Sequence, residues 1–411
     1  MAKIWPFKAI RPVRDKVHLV ATRPYYSYKK NVLKAKLEDN PYTFLRIINP
    51  EFNHLVKTKP NSDERFEQVK KKYKEFIDEG ILIQDESPRL YIYRQTSNGH
   101  AFTGVLAGAS IEEYQNDLIK KHEATLTSRE AMFTRYLDIV EYNAEPVLLS
   151  YNGDQHIDEL INQFTSVRAE YEFTTTDRIT HELWILSENE TLIMQNAFEE
   201  VDATYIADGH HRSASSARLF QERLNTGKTT VGNVSSFLAF FVDESRLKIL
   251  EFNRLVKTLN GYSPDSFLFA LKALGEIHEI EKAEKPQEEH QIHFFLNKQW
   301  YNFVINSYLI DNEEPVKSLD SDLLTELILK PILGIEDLKT SDQIEFVPGN
   351  ESLQSIEEKI NSGKFDIGFV LFPATIQQVK RVADNQMNMP PKSTWVEPKL
   401  RSGLTIYNIN E

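Results

Sequence analysis

The strongest constraint on the fold is the run at residues 236–242, in which six apolar residues follow one serine without interruption. A run of this length is typical of a β-strand buried on both faces of a sheet. The next four residues, 243–246, are polar and turn-like, so we predict that residues 247–252 pair beside this strand. No apolar stretch approaches the roughly 18 residues that a membrane span needs.

Helix and strand patterns alternate along the chain. Residues 61–79 predict an amphipathic helix, capped by Asn61 and stopped by Gly80, and capping boxes at Ser110 and Thr127 open two more helices. Short strands are predicted at 81–83, 90–93, 102–106, 146–150, 183–186, 204–206, 292–296, 300–305, 367–371 and 404–408. The sequence therefore predicts a mixed α/β (α+β) protein.

Composition limits both organisation and partners. A chain of 411 residues has room for two or three domains, and we place them at 1–110, 111–260 and 261–411. The net charge of −13 argues against a nucleic-acid or anionic-membrane partner. There is no cysteine, which excludes disulfides and thiolate metal sites. The first ten residues lack the apolar core of a signal peptide, so we expect a cytoplasmic protein. The sequence gives no indication of oligomeric state.

The densest polar cluster is Asp208-Gly209-His210-His211-Arg212, which follows a predicted strand and opens a predicted helix. Backbone N–H groups and the helix dipole favour an anion at such a position. Asp208 could hold Mg²⁺, Gly209 allows close backbone approach, and Arg212 could grip phosphate oxygens. His210 and His211 could donate to a phosphoryl group or move protons. The alternative is an ordinary helix start with surface histidines.

A second cluster lies near the C-terminus, where cations and hydroxyls are concentrated in an acidic chain. Lys392, Ser393, Thr394, Lys399 and Arg401 could surround a phosphate or a nucleotide tail. Lysine and arginine beside prolines are also common in plain surface turns.

The third cluster, Lys120-Lys121-His122-Glu123, is placed by the pattern at the end of the helix that Ser110 opens. Glu123, with His122 beside it, is a candidate general base, and His181 is a thinner candidate of the same kind. The alternative is a helix C-terminus decorated with favourable cations. A further stretch, Thr226-Gly227-Lys228-Thr229, looks like the end of a P-loop, but it follows a helix and Gly227 fits a helix C-cap.

Several ordered motifs resemble the family catalogued as domain of unknown function 1015, over nearly the whole chain. They are Asn40-Pro41-Tyr42, Tyr91-Ile92-Tyr93-Arg94-Gln95, Lys121-His122-Glu123, His181 with Trp184, Ala207 to Arg212, Leu319-Asp320, Met389-Pro390, Lys392-Ser393-Thr394, Pro398-Lys399 and Gly403-Leu404. The stretch Arg23-Pro24-Tyr25-Tyr26-Ser27 departs from the Pro-Pro-Tyr-Asp pattern of the family.

The five residues from Asp208 to Arg212 also resemble the signature of the free-serine kinases on the ParB/sulfiredoxin-like fold. That resemblance implies a ParB/sulfiredoxin-like phosphotransfer core, Mg²⁺ and phosphate binding by this loop, and a separate glutamate that activates the serine hydroxyl. It suggests a reaction class and does not fix the substrate.

Our hypothesis is a Mg²⁺-dependent phosphotransfer enzyme for a small hydroxylated metabolite, with serine or phosphoserine and ADP or ATP as the best candidates. Asp208 would bind the metal, and His210, His211 and Arg212 the phosphoryl group. Glu123 would be the base, while the 392–394 residues and Lys399 would hold a phosphate tail. The alternatives are a phosphoserine phosphatase and a nucleotide-binding regulatory protein without turnover.

Overall fold

The computed structural model of the protein describes residues 2–228 and 232–411, so Thr229 of the P-loop-like stretch lies outside the described residues. The strands are β1 (Ile4–Trp5), β2 (Ile10–Pro12), β3 (Leu82–Gln84), β4 (Tyr91–Ser97), β5 (His100–Ser110), β6 (Ile119–Lys120), β7 (Tyr142–Asn143), β8 (Val147–Tyr151), β9 (Tyr171–Thr174), β10 (Thr180–Ile185), β11 (Thr204–Asp208), β12 (Ser236–Asp243), β13 (Lys248–Leu250), β14 (Phe252–Val256), β15 (Gly275–Ile280), β16 (Gln291–Leu296), β17 (Gln299–Ile305), β18 (Ile344–Pro348), β19 (Ile367–Leu371), β20 (Trp395–Glu397) and β21 (Tyr407–Asn408). The helices are α1 (Val17–Val20), α2 (Lys30–Asp39), α3 (Phe44–Ile48), α4 (Asp63–Asp78), α5 (Ile111–Gln115), α6 (Thr127–Val140), α7 (Gln155–Phe164), α8 (Glu188–Phe198), α9 (His210–Asn225), α10 (Pro264–Leu271), α11 (Asp320–Leu324), α12 (Leu353–Asn361) and α13 (Ile376–Asp384).

The chain divides into two compact units. Unit 1 contains residues 1–120, 125–247 and 398–411, and unit 2 contains residues 121–124 and 248–397. The three consecutive segments expected from the sequence therefore differ from the units observed. The last fourteen residues return to unit 1, and a short stretch at 121–124 belongs to unit 2.

Unit 1 is built on a mixed sheet, which confirms the mixed α/β class. Its strand order in the described residues is β6-β11-β8-β12-β5-β4-β10-β9, with β1 paired to β5. The pairs β12–β8 and β11–β6 are parallel, whereas β12–β5 and β11–β8 are antiparallel. One apolar core joins Phe237, Ala239 and Phe241 of β12 to side chains of α7 and α8.

The strand predicted at 236–242 is confirmed as β12, and every residue of it is buried. The predicted pairing of residues 247–252 beside it is wrong. These residues divide between β13, which pairs with β20, and β14, which lies in the sheet of unit 2. The turn at 243–246 sends the chain out of the first sheet instead of back along it. A local turn signal indicates a reversal but does not fix the pairing partner.

A second core of unit 1 forms where α4 packs on α3 and α6. The apolar face of α4 contributes Phe66, Val69, Tyr73 and Phe76, as the helical period predicts. The N-cap is Ser62, whose hydroxyl accepts from the Arg65 N–H, and so the prediction of Asn61 as cap is off by one residue.

The C-terminal stretch 398–411 is woven into unit 1. Ile406 forms a β-bridge with Ile10 and lies in the core of α4, and Tyr407 pairs with Asn143 of β7. Of the strand predicted at 404–408, only β21 forms a regular ladder. This stretch brings the cations near its start into unit 1.

Unit 2 has its own sheet, with the order β15-β17-β16-β19-β14-β18. All pairs in it are antiparallel. One core lies on the α10 and α11 side and contains Phe294 and Phe369, and another contains Leu255 and Val370 with residues of α12. Helix α11 continues directly into one π-helical turn, Thr325–Leu329.

Among the described residues, no helix combines the length and the apolar character of a membrane span.

Gly403 supplies a test of how tightly the C-terminal stretch is packed. Its φ is 76°, and a Cβ added there would lie 2.5 Å from the Phe44 ring. We expect Gly403→Ala to lower the free energy of unfolding by about 2–5 kcal/mol, combining left-handed strain with overpacking. Denaturant titration of the full chain measures this.

The matched control is Gly227→Ala, at φ 68° with nothing within 4 Å of the added Cβ. Only the backbone strain of about 1–2 kcal/mol should remain there. Equal losses for the two variants would contradict tight packing at Gly403.

Candidate active site

The Asp208 to Arg212 motif forms the junction between β11 and α9, as the sequence predicts. Gly209 is the N-cap of α9 and has φ 107° and ψ 25°. A Cβ at this position would come within 3.0 Å of the Arg212 guanidinium. Glycine is therefore required on two grounds, since other residues rarely adopt this φ and their Cβ would displace Arg212.

The Asp208 carboxylate is held between two cations. Its Oδ2 lies 2.6 Å from Nη2 of Arg212, and its Oδ1 lies 3.2 Å from Nζ of Lys399. Burial alone would raise the pKa of the Asp208 carboxyl, but the charges of Lys399 and Arg212 outweigh burial and hold that pKa below its ordinary value. Asp208 is thus ionised and holds two cations, Arg212 from the adjoining helix α9 and Lys399 from a distant part of the sequence.

Arg212 is fixed on its other side as well. Its Nη1 donates to the Pro146 carbonyl, at the start of β8. Burial would lower the pKa of the guanidinium, but the negative charges of Asp208 and Glu145 outweigh it and raise the pKa. Glu145 also accepts a hydrogen bond of 2.6 Å from the Ser402 hydroxyl. Sequence reasoning missed Glu145 and Pro146, because no local pattern around this dipeptide indicates a contact with Arg212, which lies more than sixty positions later in the sequence.

His210 and His211 occupy the first turn of α9. His210 is buried and His211 is half-buried. Their carbonyls accept hydrogen bonds from the hydroxyls of Ser213 and Ser215, which tighten the start of the helix. Their proposed contacts with a phosphoryl group stay predictions.

Arg401 and His181 form a separate network inside unit 1. Arg401 Nε lies 3.2 Å from His181 Nε2, and the Arg401 Nη2 lies 3.0 Å from both oxygens of Asp177. Because arginine only donates, Nε2 of His181 is the acceptor and Nδ1 carries the proton toward the Tyr93 hydroxyl, 2.7 Å away.

This network corrects two site expectations. His181 is fully buried, and burial, together with the charge of Arg401, lowers its pKa to about 3. A neutral ring whose acceptor nitrogen is already occupied is a structural group, not a base for a substrate. Arg401 is buried and paired with Asp177, and so it is not available to grip phosphate.

The remaining candidates lie in unit 2. His122 is buried, and burial lowers its pKa to about 4, whereas Glu123 is exposed. The helix opened by Ser110 ends at Gln115, and residues 119–120 form β6, so the expected helix C-terminus at 120–123 is wrong. The His122 carbonyl instead accepts from the Met389 N–H at 2.8 Å. Two motifs from distant parts of the sequence are therefore neighbours within this unit.

The 392–394 residues have three different surroundings. Lys392 is exposed and its Nζ lies 5.2 Å from the centre of the Phe252 ring. The Ser393 hydroxyl is buried and lies 2.9 Å from the Ser321 hydroxyl, beside a pocket that Asp320 also lines. Thr394 is half-buried. Lys399, by contrast, lies in unit 1 with Asp208.

The residues present do not fit a preformed magnesium site at Asp208. Both carboxylate oxygens are occupied by cations, and no group of three His, Asp or Glu side chains in the described residues could hold a metal ion. The expected role of Asp208 as a metal ligand therefore finds no support in the geometry.

Comparison with protein families matches residues 4–322 to the family described as Protein of unknown function (DUF1015). The chain belongs to this family. The matched region of this DUF1015 protein includes its Asp208 motif and its 121–123 motif, whereas the motifs at 389–404 lie outside the matched region. No curated protein matched the sequence significantly.

Solved structures give more distant likenesses. A free serine kinase in complex with AMP is 14% identical, with a TM-score of 0.36, covering 73% of this chain and 91% of the kinase. A variant of free serine kinase in complex with ADP has the same identity and TM-score, with coverages of 73% and 92%. SbnI from Staphylococcus aureus, with a C-terminal truncation, is 11% identical with a TM-score of 0.39, covering 74% and 87%.

The buried His181 predicts a specific acid sensitivity. With a folded pKa of about 3 and an ordinary value of 6.5, His181 binds a proton more readily in the unfolded chain. Its contribution to stability is complete above pH 6.5 and is lost as the pH falls toward 3. We expect this one group to remove about 2 kcal/mol of unfolding free energy between pH 7 and pH 5.

Denaturant titrations of wild type and His181→Gln at both pH values measure the difference in pH dependence. His156→Gln is the control, since His156 is exposed on α7 of the same unit. The same pH dependence in wild type and His181→Gln would contradict the assignment.

Proposed function

We propose that the protein transfers a phosphoryl group between an adenine nucleotide and the hydroxyl of a small metabolite, with serine or phosphoserine as the preferred metabolite. The supporting observation is that Arg212 and Lys399 meet on the Asp208 carboxylate at the start of α9. Phosphoryl transfer depends mainly on positioning and on neutralising phosphate charge, which this arrangement can supply.

Each part of the site has a role in this proposal. Arg212 offers a planar fork of N–H donors and Lys399 a compact positive charge, both suited to phosphate oxygens. The first turn of α9 adds backbone N–H groups and the positive end of the helix dipole. Asp208 keeps the two cations together when no phosphate is bound, which reduces the rearrangement that binding requires.

The chemical step needs a base for the hydroxyl proton. The hydroxyl oxygen forms a bond to phosphorus while the bond from phosphorus to the nucleotide's bridging oxygen breaks, and the proton passes to the base. Glu123 stays the predicted base, because His181 is excluded by its burial and its contact with Arg401.

The adenine nucleotide rests on the resemblance of the Asp208 motif to that of the free-serine kinases. The solved structures with AMP and ADP have low TM-scores and add no independent argument. Magnesium commonly enters phosphotransfer sites on the substrate phosphates with only one or two protein carboxylates. Because Asp208 is already paired with two cations, the proposal assigns magnesium no protein ligand, and the assay is run with and without it.

A phosphatase and a non-catalytic nucleotide sensor use the same anion site, and one assay set separates them. The full chain is incubated with serine and ADP or ATP, and separately with phosphoserine alone, following phosphoserine and free phosphate with and without Mg²⁺. Nucleotide-dependent phosphoserine formation supports the proposal. Nucleotide-independent phosphate release indicates a phosphatase, and nucleotide binding without either product indicates a sensor.

Lys399→Ala tests the anion site. The variant should raise KM for the phosphorylated substrate about 10- to 100-fold, as expected from losing a charged hydrogen bond worth ~1.5–3 kcal/mol. Lys74→Ala, exposed on α4 of unit 1, is the control and should leave KM unchanged. An unchanged KM in Lys399→Ala would remove Lys399 from the site.

Glu123→Gln tests the base. Loss of a general base should lower kcat roughly 10²–10⁴-fold with little change in KM. Glu112→Gln changes an exposed acid on α5 and should keep normal kcat. A Glu123→Gln enzyme with more than about a tenth of wild-type kcat would mean that less than ~1.4 kcal/mol of barrier was involved, and that Glu123 is not the base.

A further inference from the structure

Arg254, in the middle of β14 in unit 2, is fully buried, and among the described residues its guanidinium has two backbone carbonyls and no acid as partners. It lies between Phe346 of β18 and Phe369 of β19 in the sheet register. Its guanidinium carbon is 5.5 Å from the centre of the Phe346 ring. The surroundings are therefore mainly aromatic.

The guanidinium is only partly satisfied by hydrogen bonds. Its Nη1 donates to the Phe252 carbonyl, and its Nη2 donates to the Lys392 carbonyl at 3.1 Å. Its Nε, which is buried, has no acceptor. Two neutral carbonyls leave the positive charge without a counter-ion.

A buried unpaired cation is costly for a fold, and an apolar side chain of similar size would serve a buried strand better. The low dielectric of the site lowers the pKa of Arg254 to about 9. Packing within the sheet does not explain an arginine at this position, whereas a role in binding an anion would explain it.

A second cation lies next to this site. Lys392, whose carbonyl accepts a hydrogen bond from Arg254, has an exposed side chain. Its Nζ lies near the ring of Phe252, which precedes Arg254 by two positions on β14. Lys392 has φ 58°, in the left-handed region that side chains disfavour. The residue whose carbonyl caps Arg254 therefore holds a backbone conformation that is less favourable than the extended or helical ones.

We propose that Arg254 and Lys392 form a binding site for a phosphate group in unit 2, in which the phosphate replaces the Lys392 carbonyl on Arg254. Nε and Nη2 lie on the same edge of the guanidinium and match two oxygens of one anion. Two cations match the charge of a phosphate dianion better than that of a single carboxylate. The proposal rests on the proposed phosphate role of the 392–394 residues and adds Arg254, which sequence reasoning missed.

The test uses inorganic phosphate and the full chain, so that it does not depend on any turnover. Phosphate binding is measured by calorimetry and by the shift in Tm, in a Lys399→Ala background in which binding at the Asp208 site is weakened. Acetate at the same ionic strength is the carboxylate arm. We expect phosphate binding in this background and at least tenfold weaker binding of acetate.

Arg254→Met is the decisive variant. It should abolish phosphate binding in the Lys399→Ala background while its Tm without phosphate stays equal to or above that of the parent, because a buried charge has been removed. A lower Tm together with unchanged phosphate affinity would show that Arg254 serves only as a hydrogen-bond donor to the Phe252 and Lys392 carbonyls. That result would overturn the proposal.

Lys392→Ala keeps the proposal falsifiable if Arg254→Met does not fold. Lys392 is exposed, so the variant should fold normally, and we expect it to weaken phosphate binding about tenfold. Lys272→Ala, at an exposed lysine that caps the C-terminus of α10 in unit 2, is the matched control. Unchanged phosphate affinity in Lys392→Ala would overturn the proposal, whether or not the protein proves to be a phosphotransfer enzyme.

Discussion

The charged cluster at the start of α9 in unit 1 depends on one carboxylate, that of Asp208. Arg212, in the first turn of α9, is four residues from Asp208, but Lys399 is 191 residues away and reaches it only because the C-terminal stretch returns to unit 1. Two cations at this spacing would repel each other without an anion between them. Asp208 removes that repulsion, and a phosphate bound at the start of α9 could do so as well.

The basic residues of the C-terminal region are close in sequence but have different structural surroundings. Lys399 contacts Asp208, while Arg401, two positions later, is buried on Asp177 and His181. Lys392 belongs to unit 2 and is exposed. Sequence reasoning grouped these cations as one phosphate pocket, because it could see their spacing but not the point at which the chain passes from one unit to the other.

Secondary structure was predictable where the cause is local. The uninterrupted apolar run of β12 and the 3.6-residue period of α4 both appear in the structure as expected. Errors occur where pairing or capping depends on more than neighbours. The expected partner of β12 went into other sheets, and the expected helix at Lys120 is a short strand that pairs with β11. Buried groups such as Arg254 were overlooked, because a single arginine in a short strand pattern carries no local signal.

By itself the sequence determined the mixed α/β class, the strand–glycine–helix setting of Asp208 and the absence of thiol chemistry. These follow from residue types and from periodicities within one or two turns, which local hydrogen bonds and side-chain alternation enforce. Only the tertiary structure decided which cation meets Asp208, that His181 is a neutral core residue, and that Arg254 lacks a counter-ion. Those outcomes depend on contacts between residues far apart along the chain. Such contacts are decided by the packing of the sheets and of the C-terminal stretch 398–411, and no local sequence pattern specifies them.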